Sequence, residues 1–315
     1  MSSASGPIAD LSYRTYEGQL DAPTHRWKVI AKQNIYRVIR HKGYWWMFGF
    51  GSWYYFIMAV ILLFVTLLQT GGTNFEQNPL LQIDWTAQYL HGFSFGQMFY
   101  MFIGLIAGAG AIANDNRCNA LLVYLSKPCT KKDYIIGKWV GVFVPVAAAM
   151  LIPALLFYAF GAMNFRDMGF ISDDPLLPLR MILIILVGAA FHTSMVLAVS
   201  SMFNQGRLAG ATYAGIYFLP SFITFFMGII LEEARDAPAS LISLAEGWFY
   251  MSIDGLSIGF AKLILELDSP DLFLNAGNGF NVGRPAPLMV IGVMAVLSTV
   301  AVVLIRRRVR AVEVA

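Results

Sequence analysis

His192, followed by Thr193 and Ser194, stands near the middle of a long apolar run, and Gln97 lies within another. Polar and ionisable side chains at such depth face a bundle interior or a wet cavity by default, so these two are candidates for the wall of a translocation path. The competing reading is a neutral imidazole hydrogen-bonded to a neighbouring helix. Three other patterns fail the chemistry they would have to perform. Gly255-Leu256-Ser257-Ile258-Gly259 has the spacing of a nucleophile elbow. That device needs a strand-to-helix turn and a histidine later in the chain, whereas His25, His41, His91 and His192 all precede it. There is no His-Glu-x-x-His, and Cys118 and Cys129 have no histidine beside them, so no metal site is expected. A phosphate-cradling loop requires Gly, four residues, then Gly-Lys and a hydroxyl residue. At Gly137-Lys138 the first glycine is replaced by Lys132 and the hydroxyl by Trp139. The chain is therefore expected to hold no nucleotide, no cofactor and no catalytic residue.

The elements that must position His192 and Gln97 are dictated by composition. The 315 residues are 57% apolar and only 13% charged, with a mean hydropathy of +0.62. A soluble domain carries roughly 25% charged residues, so the chain lacks the polar surface to cover a globule in water. That excludes a soluble enzyme, a disordered chain and a disulfide-stapled module, and the net charge of +3 argues against nucleic acid as a partner. A membrane helix needs about 20 apolar residues, and the charge-free intervals 43–75, 85–114, 139–165, 181–206, 208–231 and 285–305 each suffice. Trimmed to their most apolar stretches they predict spans at 46–68, 94–113, 139–161, 181–203, 209–230 and 287–305. Solid apolar runs rather than alternation specify helices, not a barrel.

Lys and Arg concentrate in 1–42, in 114–138 and in 306–310, and acids concentrate in the alternate segments. The positive-inside rule then puts both termini in the cytoplasm. Residues 1–24 lack the apolar centre of a signal peptide, so the first span is expected to target the chain. Both cysteines fall on the reducing side, and no disulfide is expected between them. Within 25–42, Trp27, Ile30, Ala31, Ile35, Val38 and Ile39 recur at helical spacing among Lys28, Lys32, Arg37 and Arg40. This pattern predicts an amphipathic helix along the inner face of the bilayer.

The loop 114–138 is too patterned for a simple connection. Leu121, Leu122, Tyr124 and Leu125 make one apolar cluster on a short helix that Pro128 ends, and Thr130 with Asp133 forms a capping box for the helix that follows. An apolar face outside the bilayer needs a covering partner or must fold back on the helix at 25–42. This run, NDNRCNALLVYLSKPCTKKDYIIGKWVG, resembles the loop after the second span of ABC type-2 permeases, the membrane subunits of ATP-driven exporters. The matching positions are Leu121-Leu122, Ser126-Lys127-Pro128 and Gly137-Lys138, with Asp115 in the acidic stretch, while Asn119-Ala120 replaces the usual Gly-Thr.

The resemblance implies that the loop is a coupling helix seated on an ATPase subunit, with Leu121, Leu122, Tyr124 and Leu125 as docking face and Asp115, Arg117 and Lys127 as rim charges. It implies ATP and Mg on that partner chain, a second permease copy or a paralogue, surrounding membrane lipid, and the bacterial inner membrane as location. The expected fold is an all-α polytopic membrane protein. A tail and interfacial helix occupy 1–42, a six-span domain 43–305 and a basic tail 306–315. Within the outer segment 231–285, 241–267 reads as two short helices lying on or dipping into the outer leaflet. Gly104 and Gly108 predict close helix packing, and Pro145, Pro153 and Pro220 predict bends. A stand-alone secondary carrier is the other reading, although its usual membrane-embedded acids and internal repeats are missing.

Overall fold

A computed structural model describes residues 25–70, 83–120, 129–233, 238–268 and 283–309, and these contain helices and connections without a strand. The helices are α1 (Trp27–Ile39), α2 (Lys42–Thr70), α3 (Trp85–Gly104), α4 (Ala113–Arg117), α5 (Lys131–Asn164), α6 (Leu177–Met202), α7 (Gly206–Glu233), α8 (Ala239–Phe249), α9 (Ile253–Leu265) and α10 (Pro287–Arg308). Between α3 and α4 the chain makes one π-helical turn, Leu105–Ala109. Six helical stretches are long and apolar enough to cross a membrane, namely α2, α3 through α4, α5, α6, α7 and α10. The protein is a polytopic, all-helical membrane protein.

Helix starts follow local chemistry. Asp84 accepts the Ala87 N–H at 3.0 Å at the head of α3, Thr130 and Asp133 form the expected reciprocal box on α5, and Ser252 caps α9 through the Gly255 N–H at 2.9 Å. Prolines open α6 and α10, where the missing donor costs nothing.

At the centre stands α6, which touches α5, α7, α9, α10 and α3. Its most apolar stretch is 67% buried, against 17% for α2 and 22% for α7 and α10. The outer helices therefore keep wide apolar faces, including Trp46, Phe56, Phe64, Leu219 and Phe226. Such faces are stable against hydrocarbon or another apolar surface, not against water.

Helix α5 has 34 residues, about 51 Å at 1.5 Å per residue, so it overreaches a hydrocarbon core of about 30 Å. Its first turns project, and α1 packs along them. Two glycines permit this approach. A Cβ on Gly137 would stand 2.7 Å from Ile30 Cβ and 2.8 Å from the Trp27 carbonyl, and one on Gly141 would stand 2.7 Å from Asn34 Cβ. The amphipathic helix thus spends Ala31, Asn34 and Val38 on the protein. This end, carrying α1, the start of α5 and the end of α10, is the basic end of the bundle.

Helix α9, in the stretch expected to lie on or dip into the outer leaflet, wedges against α3, α6, α7 and α10, with Leu256, Ile258, Ala261, Lys262 and Leu265 buried. One expectation needs correction: Gly104 and Gly108 do not form one packing face. A Cβ on Gly108 would meet Val196 at 2.6 Å, whereas nothing lies within 4 Å of one on Gly104. Gly104 ends α3 and Gly108 sits within the π-turn, so the regular helical spacing that would put both on one face is interrupted.

Candidate functional site

The π-turn leaves backbone groups that no helix ladder satisfies. Ser200 of α6, fully buried, collects them. Its hydroxyl accepts from the N–H groups of Ile112 and Ala113, each at 3.1 Å, and donates to the Ala109 carbonyl at 2.8 Å. Asn116 donates to the Phe203 carbonyl at 3.3 Å, and the Asn114 side chain accepts from the Gly206 N–H at 3.2 Å. One serine and two asparagines therefore fasten α4 to the end of α6 and the start of α7.

On the other side, α4 is joined to α5. Lys138 Nζ lies 2.7 Å from Asp115 Oδ2, with side chains 8% and 19% exposed. Tyr134, fully buried, donates its hydroxyl to the same oxygen at 2.8 Å. Asp115 is thus turned inward onto an internal ion pair, because an isolated lysine at that depth would be costly without it. Arg117 is exposed. Leu121, Leu122, Tyr124, Leu125 and Lys127, expected as the rest of the docking face, lie outside the described residues. The start of α4 and the first turns of α5 hold the two ends of the segment that carries them.

Gln97 and His192 meet in the middle of the bundle. Gln97 Oε1 lies 3.0 Å from His192 Nε2, and Tyr213 Oη lies 2.9 Å from His192 Nδ1. A neutral ring protonated at Nε2 satisfies all three side chains at once, donating to Gln97 and accepting from Tyr213. Gln97 also donates to the Phe93 carbonyl at 3.4 Å. The three are 2%, 0% and 0% exposed, so in this conformation they pin α3, α6 and α7 together instead of lining an open path. Thr193 keeps a buried hydroxyl with no hydrogen-bond partner among the described residues.

A second polar contact joins α7 to α9. Ser221, one residue after Pro220, has its hydroxyl 2.9 and 3.0 Å from the two carboxyl oxygens of Asp254. Burial raises the Asp254 carboxyl above its ordinary range, and hydrogen bonds from Ser252 and Ser221 work against that rise. Ser257 of the elbow-like motif sits inside α9, buried, with its hydroxyl bonded back to the Ile253 carbonyl at 3.0 Å. The flanking glycines are there for packing: a Cβ on Gly255 would stand 2.0 Å from the Phe249 carbonyl, and one on Gly259 would stand 2.8 Å from the Tyr250 ring.

Sequence reasoning missed Ser200, Tyr213 and the Asp115–Lys138 pair. The available signal for Ser200 was a serine pair, Ser200-Ser201, in an otherwise apolar helix. Tyr213 had none, since tyrosine is unremarkable near a membrane interface. Among the described residues, no three His, Cys, Asp or Glu side chains come together as a metal cluster would require.

Residues 10–245 match the family described as ABC-2 family transporter protein. No curated protein matches the chain.

Proposed function

The chain belongs to the ABC-2 family of transporter membrane proteins, and from that premise we propose that it is the permease subunit of an ATP-driven exporter, coupled to a separate ATPase. The family works with ABC ATPase partners in general. Here the ATPase docks on 114–138 at the basic end, which faces the cytoplasm of a bacterial inner membrane. ATP and Mg belong to the partner, and this chain supplies the substrate path and the moving helices. A second copy or a paralogue completes the path, packed on part of the apolar surface that α2, α7 and α10 leave uncovered.

The observation that supports this reading is the two-sided bracing of α4. A segment that transmits a push must not yield where it enters and leaves the bundle. Ser200, Asn114 and Asn116 hold α4 to α6 and α7, and Lys138 with Tyr134 holds it to α5. A displacement of the docked loop is therefore delivered to three membrane helices together. The driving energy is the difference in the partner's binding between its nucleotide states, since a switch moves only by differential affinity.

The test is capture of an ATPase encoded beside this reading frame. The full chain retains it on co-purification, and the variant carrying L121D, L122D and L125D loses it while keeping its unfolding temperature. Undiminished capture by that folded variant would falsify the docking assignment.

A further inference from the structure

At the basic end, α1, the π-turn and the first turn of α7 border an open cleft of about 530 Å³, a size common for small-ligand sites. Arg37 from α1, Arg117 from the end of α4 and Arg207 from the start of α7 line it. Leu105 and Ile106, on the π-turn, form its apolar side. Arg37 is held in place, donating to Asn34 Oδ1 at 2.9 Å and to the Ala107 carbonyl at 3.4 Å. The ion pairs among the described residues engage none of these three arginines. The acid on α4, Asp115, is taken up by Lys138 and Tyr134. The amino end of α7, at Gly206, is also on the wall and adds the partial positive charge of a helix start.

Three guanidinium groups from three separate elements, gathered around one cleft with no counter-ion among the described residues, repel one another, and an anion between them would relieve that repulsion. Guanidinium is planar and presents paired donors that match the oxygens of a phosphate. We propose that this cleft binds a phosphate-bearing anion, with Arg37, Arg117 and Arg207 on the phosphate oxygens and the Leu105–Ile106 side against the apolar part of whatever carries the phosphate. A phospholipid headgroup has both parts, and a free phosphate has the first alone. The proposal goes beyond the exporter reading and does not rest on it, because binding is measured on this chain without a partner.

The full chain, purified in maltoside detergent, is titrated with phosphatidylglycerol or with phosphatidylcholine, and lipid adducts are counted by native mass spectrometry. The R117Q/R207Q variant is compared with R307Q/R308Q, which loses the same charge on the last turn of α10 outside the cleft. Phosphatidylglycerol is expected to bind in preference to phosphatidylcholine. That preference falls about tenfold in R117Q/R207Q, the size expected for loss of a charge-assisted hydrogen bond, and persists in R307Q/R308Q. Both substituted arginines are exposed. Should the double variant nevertheless melt early, R207Q alone carries the comparison. Inorganic phosphate separates the sources. Lipid retained against millimolar phosphate assigns the site to a headgroup. Displacement of lipid, or a phosphate-induced rise in melting temperature that R207Q abolishes, assigns it to the free anion. Equal loss in R307Q/R308Q overturns the proposal. So does a folded R207Q or R117Q/R207Q chain with unchanged lipid preference and phosphate response.

Discussion

Lys138 and Asp115 stand on opposite sides of segment 121–128 in sequence, yet their charged atoms are 2.7 Å apart. The pair closes the base of the loop as a clasp would, and the Tyr134 hydroxyl, 2.8 Å from the same carboxylate oxygen, fixes which oxygen is used. The Gly-Lys pair that made the loop recognisable has a local physical meaning here. Gly137 admits α1 to the surface of α5, and Lys138 secures α4 to it.

Removing the cation should cost more than removing the pair. A buried carboxylate stripped of its partner destabilises by about 3–5 kcal/mol, and because Asp115 keeps some exposure and its tyrosine donor, K138M is expected to lose about 2 kcal/mol. D115N/K138M should recover part of that loss. Chemical unfolding in detergent of both singles and the double gives the coupling directly. Additive losses would mean that the pair contributes nothing of its own.

The contact between α1 and α5 should be as sensitive to added volume. Overpacking of a tight interface costs about 1–3 kcal/mol, so G141V is expected to lower stability by that amount, and G137V by at least as much, since it meets a backbone carbonyl as well as Ile30. Gly49, with nothing within 4 Å of an added Cβ, is the control: G49V should show no such loss. Proteolysis within 25–42 follows the same order if α1 detaches.

His192 ties three helices through two hydrogen bonds. H192A leaves Gln97 and Tyr213 buried and unpaired there, a loss of about 2 kcal/mol, while Y213F removes one bond and is expected to cost about 1 kcal/mol. Both are read as shifts in unfolding, with partner ATPase turnover per folded chain unchanged. A loss of substrate-stimulated turnover in a normally stable H192A would move His192 from packing to the path.

The spans were legible because bilayer thickness sets a length that apolar runs either reach or miss, and all six reach it. The capping box was legible because Thr130 and Asp133 are three residues apart. The features that had to wait for the structure act over long separations. The broken backbone at Ile112 is repaired by a serine in another span, and no local pattern announces a π-turn. The placement of α9 was only partly legible, because its stretch reads equally as lying on or dipping into the leaflet. Lys262 is fully buried, and the small residues Gly255, Ser257 and Gly259 let the helix enter the bundle. The His192–Gln97 meeting was half legible: both residues were conspicuous in apolar runs, but their separation in sequence hid that they touch each other.

The native cysteines test which way the bundle points. Cys118 is exposed and Cys129 is partly so, and the two flank segment 121–128 at the basic end. Burial, and then the Asp133 carboxylate, hold the Cys129 thiol above its ordinary range, with Arg26 pulling the other way. Only the thiolate reacts, so in a C118S chain labelling by a membrane-impermeant maleimide should be slow at neutral pH. It should rise about tenfold per pH unit while the thiolate is the minor form, and should still be climbing at pH 9.0, the ordinary thiol value. In intact cells neither cysteine should label if, as the positive-inside distribution predicts, this end faces the cytoplasm, and permeabilisation should expose both. Labelling of intact cells would invert the bundle. It would also leave the loop 114–138 on the side of the membrane where an ATPase has no nucleotide to use.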